Sequence, residues 1–150
     1  ETGEVTLLRV IAAHDCGRII NPTMVDSQVI GGITQGIGFA LTEARVIDPQ
    51  SGVVLNANLE DYKVPTIADL PPITHARVGK PDLAANNTGA KGVGEPPLIP
   101  TAAAIANAIY DATGVRLRAT PLSRQRLMAA LAEQLTNTPR TAQNQEGGNA

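Results

Sequence analysis

An amphipathic helix that contains four glycines constrains the fold of this chain more than any other feature. Apolar residues recur at four-residue steps from Val29 to Leu41, which predicts a helix from about Pro22 to Glu43. Asn21 before Pro22 is typical of a helix start, since asparagine is a favoured N-cap and proline suits the first turn. The glycines are Gly31, Gly32, Gly36 and Gly38. Each costs up to about 1 kcal/mol relative to alanine, so the fold must gain something from them.

The glycines of this helix allow two interpretations. Gly32 and Gly36, four residues apart, are typical of a close helix–helix contact. They would also leave a smooth face for a flat, bulky ligand. Gln28 and Gln35 project from the same helix, and a glutamine amide both donates and accepts hydrogen bonds, as the edge of a heterocycle requires. Taken singly, each glutamine is more often a solvated surface residue.

The hydrophobic core must be built almost without aromatic side chains. The chain has no tryptophan, and its aromatic residues are Phe39, Tyr62 and Tyr110. Hydrophobic residues still make up 43% of the sequence, so alanine, valine, isoleucine and leucine must supply the core. We expect the apolar face of the first helix, notably Val29, Ile33 and Ile37, to be made for a neighbouring domain.

Charge, hydropathy and cysteine content exclude several classes of protein. Twelve Lys and Arg against 14 Asp and Glu give a net charge of -2, which argues against a nucleic-acid-binding domain. No apolar run approaches the ~18 residues that a membrane-spanning helix needs. Cys16 is the single cysteine, so the chain alone forms no disulfide framework and no Cys-rich zinc or iron–sulfur site. His14 and His75 add few ligands for a protein-coordinated transition metal.

The remaining segments predict an α+β fold without a clean parallel βαβ series. We expect a strand at 4–13, a hairpin at 45–55, a strand at 73–78, a helix at 100–111 ended by Gly114, a short strand around Leu117 and a last helix at 121–134. The segment 135–150 is polar and lacks periodicity, so we expect a disordered tail. Because the chain opens at Glu1 in what resembles a hairpin, we expect it to be the C-terminal part of a longer protein.

A glycine-rich turn from Gly89 to Gly94 precedes Glu95 and two prolines. Glycine lets backbone N–H groups approach a ligand closely, and the residue before a proline is pushed toward extended backbone. Together these features would aim the Glu95 carboxylate from a fixed turn beside a backbone nest for anions. The alternative is an exposed loop glutamate after a flexible turn. The pattern matches neither a Walker A loop nor a G-x-G-x-x-G fingerprint.

Two further groups of residues could carry chemistry. His14 and Cys16 lie two residues apart at a strand end, hence on one face, either as a nucleophile pair or as a hydrogen-bonded histidine and a buried free cysteine. We favour the second interpretation because no orienting partner stands out. The arginines of the basic C-terminal quarter are Arg116, Arg118, Arg124 and Arg126. They form either a solvated face with salt bridges or a contact to a phosphate-bearing cofactor or an acidic partner chain.

Four motifs in order give the chain a specific family resemblance. They are H-D-C-G-R at 14–18 followed by N-P at 21–22, Q-x-x-G-G-x-x-Q-G-x-G at 28–38, D-Y-K-x-P at 61–65 and K-G-V-G-E-P-P at 91–97. In this order and at these separations they resemble the C-terminal end of the molybdenum-cofactor-binding large subunit of the xanthine dehydrogenase/aldehyde oxidase family. The alanine-rich run at 102–109 and A-T-G-V-R at 112–116 match as well, so the resemblance extends to about Ala132.

The resemblance implies roles for the glycine turn, for Glu95 after it and for one glutamine of the first helix. Glu95 would be the catalytic base, and Gln28 would contact the molybdenum cofactor near the metal. The backbone that would lie against the pterin is formed by Lys91, Gly92, Val93 and Gly94. The metal would be held by the dithiolene sulfurs of the cofactor, expected in its cytosine dinucleotide form, and by no protein ligand.

The resemblance also implies an architecture and a reaction. Residues 1–134 would be the C-terminal part of the second molybdenum-cofactor-binding domain, with an α+β fold. The reaction would be hydroxylation of an aldehyde or N-heterocycle with oxygen from water. The expected partners are a small-molecule substrate, the remainder of the large subunit, an iron–sulfur subunit or domain with [2Fe–2S] centres, and a flavin subunit or domain with FAD. We expect the enzyme in the cytoplasm, with the periplasm as the alternative.

Two other functions remain as alternatives. One is a same-superfamily enzyme for another small substrate such as carbon monoxide, because the substrate-orienting residues lie upstream. The other is a non-catalytic scaffold that packs against partner subunits, although a scaffold needs no carboxylate after a rigid glycine turn. Since the other cofactor motifs are missing, residues 1–150 alone are expected neither to bind the cofactor nor to catalyse.

Overall fold

Two strands and three α-helices make up the part of the chain that the structure, a computed structural model, describes: residues 2–137. In chain order they are β1 (Val10–Asp15), α1 (Pro22–Leu41), β2 (Ile73–Val78), α2 (Thr101–Thr113) and α3 (Arg124–Asn137), with a 3₁₀ turn at Ile67–Asp69 before β2. This mixture confirms the α+β class. The first residues of the predicted tail, 135–137, are the last residues of α3, and the rest of the tail, from residue 138 onward, lies outside the described residues. Within residues 2–137 no helix is long and apolar enough to cross a membrane.

Helix α1 begins and ends close to the predicted residues. The Asn21 side chain accepts a hydrogen bond from the Met24 N–H at 3.1 Å, which confirms asparagine as the N-cap. At the other end, the N–H groups of Thr42 and Glu43 donate to the Gly38 carbonyl at 2.9 and 2.8 Å. The helix therefore stops two residues before its predicted end.

Strands β1 and β2 form a parallel pair that starts with Val10 opposite Ile73 and finishes with Asp15 opposite Val78. The connection between them contains α1, so the chain makes one parallel crossover that the sequence pattern does not reveal. The prediction of a strand at 4–13 is wrong for residues 4–9. Those residues lack a neighbouring strand in the described chain, and a β-branched run without a ladder partner is not counted as a strand.

The predicted hairpin at 45–55 is reduced to its innermost contacts. Ile47 and Val54 form an isolated antiparallel bridge. The N–H of Asp48 donates to the Val53 carbonyl at 2.9 Å, and the Leu55 N–H donates to the Val46 carbonyl at 2.8 Å. The turn thus reverses the chain as expected, but without two strands.

The core of the described chain is aliphatic, as the composition requires. It centres on α1, where Val29, Ile33 and Ile37 are 0–2% exposed. The expectation that these three side chains await a neighbouring domain is therefore wrong, because the chain buries them itself. They pack with Ile105 and Ile109 of α2. The remaining buried apolar residues are Cys16, Val25, Ala40, Val115, Leu122 and Leu127, so no aromatic residue belongs to the core of residues 2–137.

Two of the four helix glycines allow a close approach between α1 and the segment that leads into α2. A Cβ atom on Gly32 would lie 2.8 Å from the Pro97 Cβ, and one on Gly36 would lie 2.5 Å from the Thr101 Cβ. Both distances are shorter than real Cβ contacts. A Cβ on Gly31 would meet no atom within 4 Å. Gly32 and Gly36 therefore serve close packing, as the first interpretation predicted, although only Gly36 meets a helix, at Thr101 of α2, while Gly32 meets the chain before it.

The C-terminal part contains helices as predicted but no third strand. Helix α2 ends at Gly114, whose φ of 72° is the left-handed conformation that glycine adopts without strain. The predicted strand around Leu117 is absent from the described residues, and Leu117 instead packs against the core from irregular chain. Ser123 precedes α3 and accepts from the Arg126 N–H at 3.4 Å, near the predicted cap.

The glycine packing predicts opposite effects for neighbouring substitutions. Gly32→Ala and Gly36→Ala should each destabilise the protein by about 1–3 kcal/mol, because overpacking outweighs the gain in helix propensity. Gly31→Ala is the matched control and should stabilise by up to about 1 kcal/mol. Chemical unfolding of the parent and the three variants measures the change in the free energy of unfolding at each position. Equal effects at all three positions would show that α1 and the Pro97 segment do not pack closely.

Candidate cofactor-binding site

The glycine-rich turn is joined to the end of β1 by backbone hydrogen bonds. Gly17 and Ala90 form an antiparallel bridge. The Arg18 N–H donates to the Gly89 carbonyl at 2.7 Å, and the Lys91 N–H donates to the Cys16 carbonyl at 2.8 Å. These bonds fix the first residues of the turn beside the N-terminal end of α1.

Lys91 fixes the same turn through its side chain. Its ammonium group lies 2.7 Å from Asp15 Oδ2 and 3.4 Å from Asp82 Oδ2. The hydrogen bond from Lys91, together with the one from the Gly17 N–H, lowers the pKa of Asp15 below the usual 3.8. The hydrogen bond to Asp15 raises the pKa of Lys91. The ammonium is thus neutralised by two carboxylates of the protein, which leaves the backbone as the main donor of the turn.

The residues after Lys91 present free backbone donors. The N–H groups of Gly92, Val93 and Gly94 form no hydrogen bond with any residue in the described range. A Cβ on Gly92 or on Gly94 would meet no protein atom within 4 Å. An open stretch of three unpaired N–H groups without obstructing side chains can bind an anionic or carbonyl-rich ligand.

A cleft of about 230 Å³ lies between this turn and the first turns of α1. Three of the predicted cofactor-binding residues line it: Gln28, Lys91 and Val93. Its other walls come from residues Cys16, Arg18, Ile20, Asn21, Met24, Val25 and Ala90. The fold therefore brings a helix glutamine and the glycine turn, which are about sixty residues apart in sequence, to one surface.

Glu95 sits where the turn meets the core. Its carbonyl accepts from the Leu98 N–H at 2.9 Å, and Pro97 is completely buried against Gly32. The Glu95 side chain is exposed and forms no hydrogen bond or ion pair within residues 2–137. It is also not among the residues that line the 230 Å³ cleft. The backbone around Glu95 is anchored, while its carboxylate is free to meet a ligand.

His14 and Cys16 do not form a catalytic pair in the described structure. Cys16 is a free cysteine, 3% exposed and part of the core, which confirms the cysteine half of the favoured interpretation. The His14 side chain lines a separate apolar cavity of about 390 Å³ between β1 and α2. It makes no hydrogen bond with a described residue, so the expectation of a hydrogen-bonded histidine is wrong there.

Three of the four C-terminal arginines are engaged within the chain. Arg116 donates to Asn107 at 2.6 Å and stacks over the Tyr110 ring at 3.9 Å. Arg124 donates to the Thr2 carbonyl. Arg126 donates to the carbonyls of residues 120 and 121. None of the three forms an ion pair with a described residue, so they neither fit the salt-bridged face nor extend the cleft.

One polar cluster was not predicted from the sequence. His75 Nε2 of β2 and Arg77 Nε each lie 3.1 Å from Asp26 Oδ1 of α1. The signal that could have found it is the strand period, because His75 shares with Ile73 the face of β2 that turns toward the core. No spacing rule predicts that Asp26 meets it, since the two residues are brought together only by the crossover.

Comparisons with known proteins identify the class. Residues 1–71 match the family model of a molybdopterin cofactor-binding domain. The chain is 48% identical over 126 residues to the xanthine dehydrogenase molybdenum-binding subunit of Escherichia coli O157:H7, covering 83% of this chain and 16% of the relative. It is 42% identical over 130 residues to the aldehyde oxidoreductase molybdenum-binding subunit PaoC of Escherichia coli K12, covering 87% and 18%.

A solved structure gives the same answer. The reconstituted CO dehydrogenase from Oligotropha carboxidovorans superposes with a TM-score of 0.78 at 32% identity, over 90% of this chain and 17% of that one. The chain is therefore part of a molybdopterin cofactor-binding domain. It belongs to the family of xanthine dehydrogenase and aldehyde oxidoreductase molybdenum-binding subunits, and it spans 16–18% of the length of these relatives.

The Lys91 ion pair predicts a pH-dependent stability. The folded-state pKa of Asp15 is lowered, so the contribution of Asp15 to stability is fully present above its ordinary pKa of 3.8. This contribution is lost as the pH falls from 3.8 through the lower folded-state pKa. Because the pKa of Lys91 is raised, its contribution is complete below pH 10.5 and is lost as the pH rises further. Lys91→Met should therefore lower the melting temperature at neutral pH.

The deficit of Lys91→Met should shrink as the pH falls from 3.8 through the lowered folded-state pKa of Asp15, below which Asp15 is protonated in the folded parent as well. Thermal unfolding across this range provides the measurement. Lys80→Met is the charge-matched control. Lys80 also lowers the pKa of Asp15 through its charge, but it forms no ion pair within the described residues and should produce a smaller change. A deficit that persists unchanged into acid would assign the effect to packing of the Lys91 side chain.

Proposed function

We propose that this chain is part of the large subunit of a molybdenum hydroxylase, which oxidises an aldehyde or N-heterocycle with oxygen derived from water. The observation that carries the proposal is the glycine turn, whose unpaired N–H groups lie beside a cleft lined by the Gln28 amide. The names of the two similar subunits point to the same substrate classes, since xanthine is an N-heterocycle.

The residues of the turn fit the cofactor that the family name implies. The unpaired N–H groups of Gly92, Val93 and Gly94 suit the polar edge of a pterin, and the missing side chains at both glycines let that edge approach. Gln28 adds an amide that both donates and accepts. From the resemblance to molybdopterin-binding subunits we assign molybdenum binding to the sulfurs of the cofactor. Within residues 2–137 no group of three or more His, Cys, Asp or Glu could hold a metal ion.

Glu95 is the residue that we assign to proton transfer. When bound, the cofactor supplies a two-electron redox centre and the site at which the water-derived oxygen is activated. The Glu95 carboxylate then accepts the proton that this oxygen nucleophile must lose. The backbone that follows Glu95 is anchored, because the Leu98 N–H donates to the Glu95 carbonyl and Pro97 is buried against Gly32. This holds Glu95 at the end of the turn and leaves its carboxylate free for proton transfer.

The remaining parts of the enzyme lie outside this chain. We assign the [2Fe–2S] centres, and FAD where it is present, to other domains or subunits. We also propose the cytosine dinucleotide form of the cofactor and a location in the cytoplasm. A chain that covers 16–18% of its relatives supplies only one wall of such a site.

Isotope labelling of the full-length protein tests the proposed reaction. The purified protein, with its molybdenum content measured, is assayed with purines, other N-heterocycles, aldehydes and carbon monoxide in ¹⁸O-labelled water with an artificial electron acceptor. Label should appear in the oxidised purine, heterocycle or aldehyde. Turnover of carbon monoxide alone, or no turnover at full molybdenum occupancy, would contradict the proposal.

Glu95→Gln in that protein tests the base. The substitution is nearly isosteric, so molybdenum and pterin content should persist while turnover falls by about 100-fold or more. Glu133→Gln is the control, because Glu133 is an exposed glutamate on α3 and should keep parental turnover. If the turnover of Glu95→Gln stays within a few-fold of the parent, Glu95 is not the catalytic base.

Gln28→Ala tests the contact from the helix. Removing the amide should lower turnover per molybdenum without unfolding α1, because alanine has the higher helix propensity. Gln35→Ala makes the same change at an exposed position of α1 outside the cleft and should leave the kinetics unchanged. Identical kinetics for both variants would show that Gln28 is a surface residue.

A further inference from the structure

The Asp26 cluster joins the N-terminal half of α1 to β2. The distance from Asp26 Oδ1 is 3.1 Å both to His75 Nε2 and to Arg77 Nε. The His75 side chain is 9% exposed, whereas those of Asp26 and Arg77 are 35% and 41% exposed. The histidine is therefore the buried member of the cluster and the one whose orientation the surrounding protein fixes.

The His75 ring has one polar contact within the described residues. Its Nδ1 atom is buried and has no hydrogen-bond partner there. The 3.1 Å contact between Nε2 and Asp26 Oδ1 is close but lacks hydrogen-bond geometry, because Asp26 Oδ1 is likewise buried and without a hydrogen-bond partner among these residues. It is nevertheless the polar contact through which the ring faces α1. Both atoms are largely removed from water, so separating them would leave each with fewer polar neighbours at a desolvation cost, although Arg77 Nε would still lie near Asp26 Oδ1.

The geometry of α1 connects this cluster to the cofactor cleft. Side chains two positions apart on an α-helix point about 160° apart, so Asp26 and Gln28 leave the helix on nearly opposite sides. Asp26 faces β2, and Gln28 faces the glycine turn that includes Lys91 and Val93. Any rotation of this part of α1 that loosens the Asp26 contact also moves the Gln28 amide relative to the turn.

We propose that His75, acting through Asp26, is a positioning residue that holds the Gln28 amide against the glycine turn. The proposal rests on the proposed function, because Gln28 matters only where the turn binds a cofactor. Further along α1, the close contact of Gly32 with Pro97 holds the same helix to the same turn. His75 provides the restraint at the N-terminal half, where Gln28 lies one turn before Gly32.

Two substitutions at His75 separate positioning from packing. The amide nitrogen of a glutamine lies close to the place of histidine Nε2, whereas that of an asparagine lies close to Nδ1. His75→Gln in the full-length enzyme should keep the Asp26 contact and stay within about threefold of parental kcat per molybdenum. His75→Asn should lose that contact and reduce kcat about 10-fold with KM nearly unchanged, on the scale of groups that orient a ligand-binding residue.

A double-mutant cycle with Gln28→Ala gives the decisive comparison. If His75 acts through Gln28, His75→Asn should cause no further loss of kcat once Gln28 is alanine. The same cycle is measured on molybdenum and pterin retained after gel filtration, a readout that needs no turnover. Additive losses in both readouts, or equal losses from His75→Gln and His75→Asn, would overturn the positioning role.

The two proposals fail in distinguishable ways. A parent enzyme with molybdenum but without hydroxylase activity contradicts the proposed function, and the retention cycle then decides the role of His75 by itself. An active parent in which His75→Asn lowers only the melting temperature contradicts the positioning role and leaves the proposed function standing.

Discussion

The contact of Gly32 and Gly36 with Pro97 and Thr101 is the interaction on which the rest of the structure depends. Pro97 is completely buried, and the Thr101 hydroxyl donates back to the Pro97 carbonyl at 3.0 Å. The turn that carries Glu95 is thereby held to α1 at the same point where α2 begins. A side chain at either glycine would push the turn away from the helix, and the cleft between them would lose its shape.

Charge and backbone have separate tasks at this site. Lys91, the one cation of the turn, is paired with Asp15 and Asp82 and stabilises the attachment to β1. The unpaired donors are instead main-chain N–H groups, whose direction is set by the fold and does not depend on rotamers. A donor fixed in this way loses little conformational entropy when a ligand binds.

The sequence predicted the elements that depend on local signals such as caps and helical periodicity. It did not predict the elements that form only when another segment of the chain pairs with them. The periodicity from Val29 to Leu41 and the Asn21 cap fixed α1 to within two residues, and Gly114 marked the end of α2. The segment 4–9 has the composition of a strand but no neighbour in the described chain, and composition carries no information about neighbours.

The same limit applies to the candidate site. Gln28 and the glycine turn were expected to meet only because of a family resemblance, and the cleft that they line bears out their proximity. The partners of Lys91 could not be predicted, because 76 residues separate Asp15 from Lys91 along the chain. The contact of Asp26 with His75 likewise needs the parallel pairing of β1 and β2, which no local pattern reveals.

The cofactor surface that we propose, built from backbone groups, offers a reason why relatives named for different substrates are similar to this chain. The chain resembles subunits named for xanthine and for aldehydes and a structure named for CO dehydrogenase, at identities from 48% to 32%. In the proposed function, backbone N–H groups and missing side chains would recognise the cofactor equally well whichever substrate is oxidised. We infer that selection between substrates depends on side chains outside this turn, since a change within it would alter cofactor binding before it altered specificity.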